Sequence, residues 1–149
     1  MPEKKTLAEA RKAKREGKAP STQAGAFVRE EIEHIRDGEH GARSAKQAIA
    51  IGLSKARRAG VKLPAPPKSA SDRTKQGAKR DADRAGKGAR PSPARSRAAK
   101  EALADEPRAA GSTLALSRQA KAAAKRRPAK ARKAAAKKAA ATRARRKDS

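Results

Sequence analysis

Cysteine, tryptophan and tyrosine are absent from this 149-residue chain, and Phe27 is its only phenylalanine. Without cysteine there is no disulfide, no thiolate metal site and no thiol nucleophile. Without aromatics there is no stacking platform of the kind that holds single-stranded bases or RNA loops. Long apolar runs are missing too. No stretch approaches a membrane span, and the opening MPEKKTLAEA has no hydrophobic signal core. The chain therefore reads as cytoplasmic, with no membrane partner. Acidic groups are few: 15 Asp and Glu stand against 41 Lys and Arg, a formal net charge of +26. Scarcest of all are large apolar side chains, with only thirteen Leu, Ile, Val and Phe. A composition this poor in them and this highly charged ordinarily buries too little surface to offset chain entropy. The expected fold class is mostly disordered with α elements, a small helical hairpin plus a long basic tail.

What is present is unevenly placed. Residues 1–63 hold 15 basic and 8 acidic side chains, residues 64–106 hold 11 and 6, and residues 107–149 hold 15 and 1. Nine of the thirteen large apolar residues lie from Phe27 to Leu63. Four segments follow: a basic N-terminal helix and linker (1–21), a helical hairpin (22–64), a Pro/Gly/Ser-rich charged linker (65–106) and an Ala/Lys/Arg-rich basic tail (107–149).

Local signals place the elements. Thr6 and Glu9 have capping-box spacing, and Gly17 suits a helix end, so TLAEARKAKREG predicts a short solvated helix. In QAGAFVREEIEHIRDG, Val28, Ile32 and Ile35 fall at i, i+4, i+7 with Phe27 at the edge. Ser21 or Thr22 is the expected N-cap there and Gly38 the stop. In SAKQAIAIGLSKARRAG, the alternation of Ile49, Ile51 and Leu53 would also suit a strand. The end signals favour a helix: Ser44 and Gln47 have capping-box spacing, basic residues fill the last turn, and Gly60–Val61 fits a left-handed cap. The hairpin core is then Phe27, Val28, Ile32, Ile35, Ile49 and Leu53, with Val61 and Leu63 added by the return segment. A unit this small usually needs a staple or a partner. Ile51 lies off the hairpin face and is the candidate contact for a homodimer.

Beyond Pro64, SRAAKEALADEP and STLALSRQAKAAAKRR are compatible with brief helices ended by Pro107 and Pro128. The final Ala/Lys/Arg segment has good helix formers whose mutual repulsion disfavours a helix in water. Phosphate neutralisation would reverse that, so a coil that becomes helical on binding is expected. The candidate phosphate contacts are Arg118, Lys121, Lys125, Arg126, Arg127, Lys130, Arg132, Lys133, Lys137, Lys138, Arg143, Arg145, Arg146 and Lys147. A long segment with one acid among fifteen bases points to a polyanion. With no aromatic in the tail, duplex DNA bound largely without regard to sequence is the first expectation; the alternatives are RNA or ribosome association, and a hairpin that binds a protein partner, as in plasmid maintenance, while the tail only localises it.

Other motifs carry less. Ser92-Pro93-Ala94-Arg95, after Pro91, partly matches the Ser-Pro-basic-basic turn that lies in minor grooves. Glu31 and His34 have the Glu-x-x-His spacing of carboxylate metal sites, which need further ligands from other helices. One hairpin does not supply those, so EEIEHIRDGEH reads as a solvated acidic face. Its Glu30, Glu31, Glu33, Asp37 and Glu39 are placed to meet the basic tail. The glycines of AGKGAR lack the Gly-Lys-Ser/Thr of a P-loop. No catalytic constellation, metal site or cofactor is expected, and the chain does not read as an enzyme.

The stretch AFVREEIEHIRDGEHGARSAKQAIAIGLSKARRAGVKLP resembles a family of small basic bacterial proteins that contain a domain of unknown function. The motif that carries the resemblance is KQAIAIGLSKARRAG, residues 46–60, and the likeness spans about residues 22–64. Members are sometimes labelled DNA-binding or plasmid-stabilisation proteins. The tail is similar in composition to those of bacterial linker-histone-like proteins. Together the two resemblances imply a nucleoid setting and no catalytic residues.

Overall fold

The computed structural model describes residues 1–85, 87 and 92–147, and divides the chain into two compact units, Met1–Ser112 and Thr113–Ser149. The first holds α1 (Lys4–Arg15), α2 (Pro20–Asp37), α3 (Ala45–Arg58), α4 (Asp72–Asp83), α5 (Pro93–Ala104) and a 3-10 turn, Arg108–Gly111. The second holds α6 (Thr113–Lys125) and α7 (Ala129–Lys147). Among the described residues there is no strand. None of these helices is long and apolar enough to cross a membrane.

The expectation of a mostly disordered chain with a long tail is therefore wrong. The reason lies in which residues do the burying. Eight of the eleven buried apolar residues are alanines, among them Ala24, Ala42, Ala48 and Ala56 at 0% exposure. A rule that counts Leu, Ile, Val and Phe misses a core made of small side chains that let helix backbones approach closely. One such close approach is at Gly52, in the middle of α3. A Cβ there would lie 2.7 Å from the Val28 Cα of α2. Glycine ordinarily weakens a helix interior, and here it is the residue that lets α2 and α3 pack.

The hairpin forms as its caps dictate. The Ser44 hydroxyl accepts from the Gln47 N–H at 3.2 Å, and the Gln47 side chain accepts from the Arg43 N–H at 2.8 Å. Gly38 ends α2 at φ 83°, with the Glu39 N–H bonded to His34 O at 2.9 Å. Gly60, at φ 91°, lets the Val61 N–H return to Ala56 O. Val61 is buried behind it. The start of α2 differs from expectation. Neither Ser21 nor Thr22 caps it; Ala19 does, because Pro20 at the first helical position already has helical φ and no N–H to satisfy.

The staple that so small a hairpin needs is supplied by its own chain. α1 is not a solvated helix, and it begins at Lys4 rather than at a Thr6 cap. Thr6 and Ala10 are buried. Ala10 joins Ala24, Phe27, Ala56 and Val61 in one cluster, with Leu7, Leu53 and Leu63 packed against it. A second cluster unites Ile35, Ala42, Ala48 and Ala110, so the 3-10 turn seals the other end of the hairpin. Backbone bonds Gly41 N–H to Leu103 O (2.8 Å) and Ala42 N–H to Pro107 O (3.0 Å) tie the end of α5 and the segment after it to the α2–α3 connection. The 65–106 stretch thus contributes two helices rather than an open linker.

Candidate nucleic-acid interface

In the second unit, α6 and α7 bury no residue, so their stability rests on alanine propensity and backbone hydrogen bonds rather than a core. The segment expected to become helical only on binding is already a 19-residue helix in the protein alone. Its many alanines outweigh the repulsion of its nine Lys and Arg. Every candidate phosphate contact from Arg118 to Lys147 is exposed. Five lie on α6 or at its end (Arg118, Lys121, Lys125, Arg126, Arg127), and nine lie on α7 (Lys130, Arg132, Lys133, Lys137, Lys138, Arg143, Arg145, Arg146, Lys147).

The α7 charges do not form a stripe. At 100° per residue, Lys130, Lys133 and Lys137 share one side, and Arg132, Arg143 and Arg146 share the opposite one. The helix is about 28 Å long, which gives one positive charge per ~3 Å of axis, close to the ~3.4 Å phosphate repeat of one DNA strand. Charge distributed all round, with no acid between residues 113 and 147, suits a helix that meets phosphates on more than one side.

The hairpin residues fall less evenly than expected. Phe27 and Ile35 are fully buried, while Val28, Ile32, Ile49 and Leu53 are half-buried. The core face of α2 runs through Ala24, Phe27, Glu31 and Ile35, each separated by three or four residues, rather than through Val28 and Ile32. Ile51 is half-buried on the side of α3 that carries Ser54 and Arg58. Both of these reach Asp81 of α4: the Ser54 hydroxyl donates to the carboxylate, and Arg58 Nε lies 3.7 Å from it. α4 therefore takes part of the face proposed for a second copy.

Sequence reasoning missed a buried polar cluster. EEIEHIRDGEH is not a uniformly solvated face: Glu33, Asp37 and Glu39 are exposed, but Glu30 and Glu31 are 4% and 1% exposed. Lys55 of α3 puts its Nζ 2.6 Å from Glu31 Oε2 and 3.6 Å from Glu30 Oε1. Neither oxygen accepts a well-aligned hydrogen bond among the described residues, so Lys55 acts on them as a nearby charge. His40 Nε2 lies 3.2 Å from Glu31 Oε1. Burial pushes the Glu30 carboxyl up, but the Thr6 hydroxyl, the Glu3 N–H, Lys55 and His34 together outweigh it and hold the group below the usual carboxylate range. Its contribution to stability is thus complete above that range and is lost as pH falls through the lowered value. The signal for this cluster was the position of Glu31, four residues from both Phe27 and Ile35 on the apolar face.

The Ser92 motif has a local explanation. The Ser92 hydroxyl accepts from the Arg95 N–H at 3.3 Å, and Pro93 occupies the first turn, so Ser-Pro-Ala-Arg is the N-terminus of α5. Pro91, and Gly86 and Gly88 of AGKGAR, lie outside the described residues.

Residues 26–69 match a family model described as a family of unknown function, DUF6496. No curated protein and no solved structure matches the chain. The match covers the hairpin except the first six residues of α2, and the start of the segment that follows, so the basic second unit lies outside it.

Proposed function

We propose that this is a non-enzymatic, sequence-tolerant nucleic-acid-binding protein whose α6–α7 unit grips duplex DNA through phosphate neutralisation. The observation that carries the reading is α7: nine basic side chains, all exposed and spread round the whole helix. Such a rod presents charge to two phosphate walls at once, whether the two sides of a groove or two neighbouring duplexes. Beyond its basic side chains α7 carries one polar group, the Thr142 hydroxyl, which donates to Lys138 O of the same helix, and this unit has no aromatic for stacking. Phosphate contacts set position and affinity without reading sequence, and the expected outcome is an architectural or compacting effect. On this reading the protein acts at the nucleoid.

Binding to a random-sequence duplex across a salt series tests it, with the full chain beside residues 1–112. If about seven phosphates are neutralised at once, the full chain shows a log–log slope of about −6. The 1–112 fragment, which keeps both apolar clusters, is expected to lose most of the affinity and several units of slope. Equal binding by both would overturn the assignment to α6–α7. A strong preference for structured RNA at fixed salt would move the target from DNA to RNA.

A further inference from the structure

Three side chains at the turn of the hairpin have the chemistry and spacing of a metal site. Glu31 and His34 lie on α2, one turn apart, and His40 lies in the connection to α3. One ligand atom from each comes within 4.8 Å of the other two. A tetrahedral cation with bonds of ~2.0–2.1 Å spaces its ligands about 3.4 Å apart, and Glu31 Oε1 and His40 Nε2 are already 3.2 Å apart. The set is interior: Glu31 is 1% exposed, and the histidine side chains are 16% and 15% exposed.

Two further observations favour a cation here. The first is the histidine hydrogen bonding. His40 Nδ1 is 3.0 Å from Gly41 O. A carbonyl only accepts, so Nδ1 carries the proton. In the neutral ring the Nε2 lone pair then faces the Glu31 carboxylate. Two acceptors at 3.2 Å repel unless a proton or a metal ion lies between them. Donation of the second ring N–H to a backbone carbonyl is also how a metal-binding histidine is usually oriented. His34 has carboxylates near both nitrogens, Glu3 Oε1 at 3.4 Å from Nε2 and Glu39 Oε2 at 3.7 Å from Nδ1, so either nitrogen can turn to a metal with an acidic partner for the other. The second observation is charge. Glu30 and Glu31 are both buried, and among the described residues Lys55 is the one lysine or arginine paired with them. Lys55 sits on Glu31 Oε2 and leaves Oε1 to face the histidines. With the histidines neutral, two buried carboxylates and one ammonium leave a negative charge for a bound cation to compensate, in a site where an unpaired charge is costly.

We propose that Glu31, His34 and His40 bind one zinc-like divalent transition-metal ion, with Lys55 as an outer partner that holds the Glu31 carboxylate. Two imidazoles and a carboxylate select a borderline first-row cation over magnesium or calcium, which prefer all-oxygen shells. Bound there, the ion cross-links the α2–α3 connection to the last turns of α2 and stabilises the hairpin, independently of how α6–α7 meet nucleic acid.

The test uses the full chain, stripped with a chelator and titrated with zinc by calorimetry and with cobalt by visible absorption. One equivalent per chain and the intense d–d band of a low-coordinate cobalt are expected. His34→Ala and His40→Ala, checked for unchanged helicity by circular dichroism, should each weaken zinc binding by more than the ~10–100-fold typical of outer partners. Imidazole nitrogen shifts of both histidines in the unmodified protein should move on zinc addition, a readout that depends on no variant. No saturable binding, histidine shifts that stay put, or a doubly substituted protein that binds like the parent would each overturn the site.

Discussion

At the scale of single residues, the fold depends on small side chains in the right places. Gly52 decides between two opposing effects. By helix propensity alone, Gly52→Ala gains about 1 kcal/mol. Its added Cβ, however, meets the Val28 Cα at 2.7 Å and the Val28 N at 3.0 Å. Those atoms are backbone, and only a shift of the whole of α2 relieves them. Overpacking of this kind costs about 1–3 kcal/mol, and a backbone obstacle belongs at the upper end. The expected outcome is a net loss of about 1–2 kcal/mol, the sign opposite to propensity, measured by urea unfolding. A gain in stability would show that α2 and α3 are not packed this closely. The alternation of Ile49, Ile51 and Leu53 thus has its explanation in the glycine that interrupts it. It is a helix whose close face is made of Ala45, Ala48, Gly52 and Ala56, all buried, with the larger side chains flanking that face half-buried.

At the scale of elements, the ends were the legible part. Ser44, Gly38 and Gly60 each do locally what their residue type allows anywhere in a protein, so no tertiary knowledge was needed to place them. Ser44→Ala should accordingly destabilise the first unit by about 1 kcal/mol in chemical denaturation, since it orphans the Gln47 N–H. An unchanged midpoint would mean that the Gln47 side chain, already bonded to the Arg43 N–H, holds the start of α3 by itself. What was not legible depends on distant partners. Thr6 and Ala10 look like solvent-facing residues of a basic helix until α2 is set beside them. Glu30 and Glu31 look like a charged face because their counter-charge, Lys55, is one helix away in sequence. Composition misled for the same reason: alanine adds little to any hydrophobic count, yet it permits close packing wherever helices meet.

At the scale of the whole molecule, charge and core are segregated. Both apolar clusters lie in the first unit, and the second consists of exposed helices with fourteen Lys and Arg and no acid from Thr113 to Lys147. A core can read a partner by shape, whereas an exposed charged helix reads only charge density. That distinction gives a sharp expectation for α7. Replacing Lys130, Lys133 and Lys137 with Gln removes charge from one side, and replacing Arg132, Arg143 and Arg146 with Gln removes it from the other. Glutamine keeps helix propensity close to that of lysine and arginine, so the helix survives and only the electrostatics change. If α7 meets phosphates all round, each triple variant flattens the log–log salt slope by the same amount, up to about 2.7 where all three contacts are made. The two sets then combine additively in the sixfold variant. If one triple removes nearly all the effect and the other none, α7 lies on nucleic acid by a single face. The reading of it as a rod gripped from several sides would then be wrong, even though phosphate binding itself stood.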